Sequence, residues 1–190
     1  MENAYLEQLF GLNGRTAVVV GGTGVLGGAI AQGLARANAH VIVAGRDLSR
    51  GRSRVHEIEK VGGSAAFFNV DATCRESMKA LLESVVAVRN NVDVLINCAG
   101  VNASTPYFEI PDDDWNKVLA TNLTSTHLGC QIFGEHMAAN GGGSIVNLGS
   151  VSAHLPLSKV FAYSASKAAV VNYTKNVARE LAPKGVRVNV

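Results

Sequence analysis

The sequence predicts an α/β fold, a doubly wound parallel sheet in three layers, on three observations. Short β-branched or apolar runs alternate with helical stretches of ten residues or more, the pattern of right-handed βαβ units. Apolar residues make up 47% of the 190-residue chain and charged ones 17%, a balance that suits a sheet covered on both faces. A glycine cluster, GGTGVLG at residues 21–27, follows the first β-branched run and opens a helix. The length fits one domain with a substantial core, and residues 1–190 are read as a single domain.

The elements follow in order. Residues 16–20 (TAVVV) form the first strand, and a helix covers 28–38. A second strand at 40–44 leads into a charged helix over 48–61, and 64–69 is strand three. In the helix at 76–89, Met78, Leu81, Leu82 and Val85 share one face. Strand four is 92–97. A helical stretch in two pieces covers 115–139, and three glycines at 141–143 turn the chain into strand five at 144–148. The helix 161–181 is stopped by Pro183 and Gly185. Residues 186–190 start a sixth strand, whose alternating Val186, Val188 and Val190 would make a raw edge. The sequence stops inside that strand, so a truncated chain lacking a final βαβ portion is expected.

Bulk properties exclude several classes. A net charge of +2 gives no reason for a nucleic-acid or acidic-membrane partner. The basic cluster of Arg46, Arg50, Arg52 and Arg54 reads first as a solvated helix start. Cys74, Cys98 and Cys130 are odd in number and widely spaced, which argues for a reducing compartment and against a metal or disulfide framework. The first seven residues carry acids where a signal peptide carries bases, and no apolar run is long enough to span a membrane. A soluble, cytoplasmic protein without a metal is expected.

Two constellations carry chemistry. Read from Gly22, the glycine cluster matches Gly-x-Gly-x-x-Gly, a turn whose backbone N–H groups approach a pyrophosphate at a helix N-terminus. Glycines also serve plain tight turns, but strand, helix and βαβ context agree here. After strand two, an acid suits the ribose of NAD and a base suits the 2′-phosphate of NADP. Arg46 follows the strand, whereas Asp47 has a competing role as helix N-cap, so NADP(H) is favoured and NAD(H) stays open. The second constellation is Tyr163 and Lys167, four apart at a helix start and so on one face. An ammonium beside a phenol favours the phenolate, which would make Tyr163 an acid/base. Ser150, just past strand five, reaches the same place from the sheet. Such a pair is common on helices, and context must decide.

That context resembles the short-chain dehydrogenase/reductase family, with its Rossmann-like fold. Four features coincide in order from about Leu12 to Val190: the glycine turn, NCAG at 97–100, Asn122 before a Leu, and Ser150 followed by Tyr163 and Lys167. The resemblance implies an oxidoreductase that moves hydride between NADP(H) or NAD(H) and a carbonyl/secondary-alcohol substrate. It implies that Tyr163 is the general acid/base, that Ser150 bonds the substrate oxygen, and that Lys167 assists the tyrosine and holds the nicotinamide ribose. Asn122 would kink its helix and hold a water in a relay to Lys167, unless it is a solvent-facing helix residue. The implied cofactor contacts are Gly21, Thr23, Gly24, Leu26 and Gly27 at the turn, and Arg46, Asp71 and Ala72 at the adenosine end. Asn97, Ala99 and Gly100 would form the floor, with Tyr163 and Lys167 closing the far end. Asp71, taken alone, would pass for a helix cap.

Three departures qualify the resemblance. Val25 stands where the family's common turn has Gly, Cys98 replaces an Asn and reads as a buried small apolar residue, and the family's last strand and substrate loop lie outside the sequence. The family also implies a homodimer or homotetramer through the helices at 115–139 and 161–181. The variant turn is similar to that of sugar-acid reductases in the family. The alternative is a nucleotide-binding, catalytically silent sensor or scaffold with the same fold.

Overall fold

The computed structural model describes residues 2–190, with side chains from Tyr5 onward. The acidic N-terminal segment begins at Met1, which lies outside the described residues. Six parallel strands form one sheet: β1 (Thr16–Val20), β2 (His40–Gly45), β3 (Ser64–Asn69), β4 (Val94–Asn97), β5 (Gly143–Asn147) and β6 (Val186–Asn189). Their order is β3-β2-β1-β4-β5-β6, so the chain reverses its winding direction between β1 and β4. The helices are α1 (Glu2–Phe10), α2 (Val25–Arg36), α3 (Leu48–Lys60), α4 (Arg75–Arg89), α5 (Asp112–Leu119), α6 (Ser125–Ala139) and α7 (Phe161–Leu181). The doubly wound α/β fold expected from the sequence is present.

Strand parity sorts the core into two layers, because successive side chains point to opposite faces. Val18, Val20, Leu95, Ile145 and Val186 meet Met78, Leu81 and Val85 of α4 and Leu128, Phe133 and Met137 of α6. Tyr173, Val177 and Leu181 of α7 pack against the same layer. Ala17, Val19, Val41, Val43 and Ile96 meet Ala31 and Ala35 of α2 and Ile58 of α3. β1, between its two neighbours, is buried at every position. A strand covered on both faces needs apolar residues throughout, hence its unbroken run TAVVV.

Several boundaries differ from the sequence reading. α2 starts at Val25 instead of residue 28, so the glycine cluster runs directly into the helix. α1 was not expected; Leu12 N donates to Ala37 O at 2.6 Å, tying its end to the turn after α2. The helical stretch at 115–139 begins earlier, at Asp112, and its two pieces are joined by a π-helical turn at Ala120–Thr124. β6 lies at the sheet edge with Val186 and Val188 buried and Arg187 and Asn189 exposed. Among the described residues no helix is long and apolar enough to cross a membrane.

Candidate active site

Beyond the carboxyl ends of β1, β4 and β5 lies a cleft with two lobes of ≈ 450 and ≈ 250 Å³. Both lobes share Gly24, Cys98, Gly100 and Val101. The larger is closed by Leu26, Gly27, Gly149, Tyr163 and Lys167, and the smaller by Gly21, Thr23, Arg46, Asp71, Ala72 and Ala99. This is the position beside the winding reversal where open α/β sheets bind ligands.

The glycine turn is built by close backbone contact. Gly21 has φ +86°, and its N–H donates to Ala44 O at 2.9 Å. A Cβ on it would stand 2.7 Å from both Ala99 N and the Cys98 carbonyl carbon. A Cβ on Gly27 would stand 2.2 Å from Gly21 O. The N-cap of α2 is Gly24, which offers no side-chain cap, so first-turn N–H groups face the cleft mouth without a side-chain acceptor. A turn of this shape, with bare backbone at a helix N-terminus, fits a dinucleotide pyrophosphate. The departure at Val25 does no harm to it, because that side chain is 87% exposed.

The smaller lobe separates the two residues after β2. Asp47 is the N-cap of α3: its Oδ1 accepts from Arg50 N at 2.9 Å, and its Oδ2 lies 3.4 Å from Arg50 Nε. It is held by its own helix and does not line the lobe. Arg46 and Arg50 do line it, together with Asp71. Arg50 is a lining residue that the sequence reading does not assign to this site, although its place in the first turn of α3 is a usable signal. Asp71 sits two residues past the end of β3, and the cap of α4 is Cys74, so the helix-cap reading of Asp71 is corrected. Its Oδ1 accepts from Thr73 Oγ1 at 2.7 Å and Thr73 N at 2.9 Å. The Thr73 hydroxyl, then its N–H, hold the Asp71 carboxyl below its ordinary value, with burial opposing and Arg46 adding slightly.

At the other end, α7 carries Tyr163 and Lys167 into the larger lobe. Its buried stripe is Ala162, Ser166, Lys167, Val170 and Thr174, at helical spacing. Lys167 Nζ lies 5.7 Å from the Tyr163 ring centroid and donates to Leu148 O at 2.6 Å. Burial pulls the Lys167 ammonium below the ordinary lysine value, with Cys98 opposing. Ser150 has extended backbone and caps a short 3₁₀ turn, Val151–Ala153, that packs on α7. It follows Gly149 of the larger lobe and does not itself line either lobe.

Two expected site residues, and one residue read as a buried departure from the family pattern, are placed differently from expectation. Asn122 is fully buried, so the solvent-facing alternative is overturned. Its Oδ1 accepts from Val101 N at 2.8 Å, and its Nδ2 donates to Val101 O at 3.0 Å and to Ser166 Oγ at 3.0 Å. Asn122 lies in the π-helical turn that interrupts the helix, and its amide clamps the loop after β4 to α7. Asn97 is corrected: its side chain does not line the cleft but turns into the core, where Nδ2 donates to Asn147 Oδ1 at 2.8 Å. A Cβ on Gly129 would come within 2.2 Å of Asn97 Oδ1, so that glycine makes the space. Cys98 is corrected as well, being only half-buried and part of both lobes. Among the described residues no cluster of His, Cys, Asp or Glu could hold a metal ion.

The family model for short chain dehydrogenases matches residues 15–190. The chain belongs to the short-chain dehydrogenase/reductase family. It is similar to the uncharacterized oxidoreductase UxuB of Bacillus subtilis (strain 168), 35% identical over 94% of this chain and 69% of the relative. D-threitol dehydrogenase of Mycolicibacterium smegmatis is also 35% identical, over 95% of this chain and 69% of that protein. Among solved structures, a candidate NAD(P)-dependent gluconate 5-dehydrogenase from Beutenbergia cavernae, with NADP bound at low occupancy, superposes with a TM-score of 0.88. The two are 41% identical, over 95% of this chain and 72% of that one. Membership makes this short-chain dehydrogenase/reductase an oxidoreductase that uses a nicotinamide cofactor, the class implied by the family resemblance of its sequence.

Proposed function

We propose that this protein, as one NAD(P)-binding domain over residues 1–190, interconverts a carbonyl and a secondary alcohol with NADP(H), Tyr163 serving as general acid/base. The observation that carries this reading is the single cleft with the glycine turn, Arg46 and Asp71 at one end and Tyr163 and Lys167 at the other. The cofactor, when bound, supplies or accepts the hydride. The rest falls to the chain. The first turn of α2 with Gly21, Thr23, Gly24, Leu26 and Gly27 holds the pyrophosphate. Asp71 and Ala72 bound the adenosine side, and the backbone of Ala99 and Gly100 forms the floor.

At the reacting end, the Tyr163 hydroxyl gives a proton to a carbonyl oxygen in reduction and takes one from an alcohol in oxidation. Ser150 donates a hydrogen bond to the same oxygen and steadies charge as it develops there. Lys167 places its ammonium beside the Tyr163 ring. Asn122 acts by holding the loop at Val101 against α7, so the expected water relay would use its main chain and not its amide.

Arg46 and Arg50 together favour a 2′-phosphate, since Asp47 is tied to the α3 start. The Arg46→Asp variant is expected to lower the ratio of kcat/KM for NADPH over NADH by roughly tenfold or more, the scale of one charged hydrogen bond. An unchanged ratio would remove Arg46 from cofactor choice. The substrate is proposed to be a sugar acid or related polyol, supported by the similarity to the gluconate and threitol dehydrogenases. Loss of reduced-cofactor absorbance with a panel of keto-sugar acids, keto-polyols and simple ketones tests this. Cofactor binding without turnover of any of them would favour a silent sensor.

The proposed location is the cytoplasm. The groove between α6 and α7, ≈ 800 Å³ and lined by His127, Tyr173, Val177 and Leu181, is proposed as the face of a homodimer. A monomeric mass at micromolar concentration would count against that.

A further inference from the structure

Ser150 is assigned above a hydrogen bond to the substrate oxygen, and its surroundings decide which way that bond runs. A serine hydroxyl has one proton to donate and two lone pairs to accept with. Ser152 approaches Ser150 Oγ with two donors: its backbone N–H at 3.2 Å and its hydroxyl at 2.9 Å. The N–H bond is fixed by the main chain, because Ser150 caps the 3₁₀ turn Val151–Ala153 and its side chain accepts there. Ser152 is buried, at 5% exposure, and among the described residues its hydroxyl is bonded only to Ser150 Oγ.

We propose that Ser152 is a positioning residue: by donating twice to Ser150 Oγ it fills both acceptor positions and directs the Ser150 proton to the substrate oxygen. This rests on the reading of Ser150 as the donor to that oxygen. Were the two hydroxyls bonded the other way, the Ser150 proton would point at Ser152 and the substrate would meet a lone pair. A carbonyl oxygen accepts only, so its arrival selects the order Ser152 O–H to Ser150 O–H to substrate oxygen. Consecutive hydrogen bonds of one sense polarise each other, and the last of them strengthens as negative charge grows on the substrate oxygen. No proton changes hands at Ser150 or Ser152; Tyr163 remains the donor and acceptor of the transferred proton.

The test is a double-mutant cycle on a ketone that the wild-type protein reduces, with kcat, KM, cofactor affinity and Tm read for each variant. Ser150→Ala is expected to lower kcat by about 10²-fold, the scale of losing one oxyanion donor. Ser152→Ala is expected to lower kcat roughly three- to tenfold, as for one lost hydrogen bond, with cofactor affinity unchanged. Ser152→Thr keeps the hydroxyl and should restore kcat, and Ser152→Cys, with a weaker donor, should fall between. Ser150→Ala/Ser152→Ala should be no slower than Ser150→Ala alone, because Ser152 has nothing left to direct. Equal kcat for Ser152→Ala and wild type, or additive losses in the double variant, would overturn the inference alone. Undiminished turnover in Ser150→Ala would overturn the reading beneath it and the inference with it. Should Ser152→Ala fail to fold, the order wild type, Thr and Cys at this position carries the same decision.

Discussion

Replacing Tyr163 by Phe is expected to lower kcat for ketone reduction by about 10²- to 10⁴-fold, the usual yield of a positioned acid/base. Cofactor affinity should change by no more than about twofold, because the ring stays against Lys167 and one oxygen is lost. The substitution is a clean probe. Tyr163 is half-buried, and among the described residues its hydroxyl joins no hydrogen bond that holds the fold. A fall in kcat with intact binding separates loss of proton transfer from loss of the site. Turnover equal to wild type would take the proton chemistry away from Tyr163.

Gly21→Ala should have the largest effect on the cofactor end. Its φ of +86° is strained for alanine, and the new Cβ would meet Ala99 N and Cys98 backbone at 2.7 Å, so backbone must move. Gly24 N donates to Gly21 O at 3.0 Å, and Gly27 packs on that same oxygen, so movement here opens the turn. We expect cofactor affinity to fall at least about tenfold and stability to fall by about 1–3 kcal/mol, from left-handed strain and overpacking. Fluorescence titration and urea unfolding measure the two. Gly33→Ala is the control: it lies in α2 with nothing within 4 Å of its Cβ, so stability should hold or rise by up to about 1 kcal/mol. Wild-type cofactor affinity in Gly21→Ala would mean that the turn is not the cradle.

The sequence made the local parts of this site readable. The glycine turn, the four-residue spacing of Tyr163 and Lys167, and the competition between Arg46 and Asp47 all depend on neighbours within a few residues. What it concealed depends on distant partners. Asn97 shares strand parity with Leu95, which already pointed it at α6, but the space it turns into exists because Gly129 lies opposite. Asn122 was readable as a kink and not as a clamp, since Val101 is 21 residues away in sequence. Ser152 gave a usable signal, a second serine two residues after Ser150, which is the spacing of a hydroxyl-to-backbone turn. α1 was legible too, since Tyr5, Leu6, Leu9 and Phe10 stand at helical spacing, although all four are exposed and none joins the core.

In the proposed reaction one cleft brings a nicotinamide cofactor and the oxygen of a carbonyl substrate to Tyr163. Label transfer decides it: NADPH carrying deuterium at both positions of its hydride-donating carbon is incubated with the protein and a ketone of the panel, and the product alcohol is analysed by mass spectrometry. Deuterium is expected on the carbinol carbon with wild-type protein, and almost none with Tyr163→Phe at equal cofactor saturation. Tight NADPH binding with the label never leaving the cofactor, across the whole panel, would contradict it.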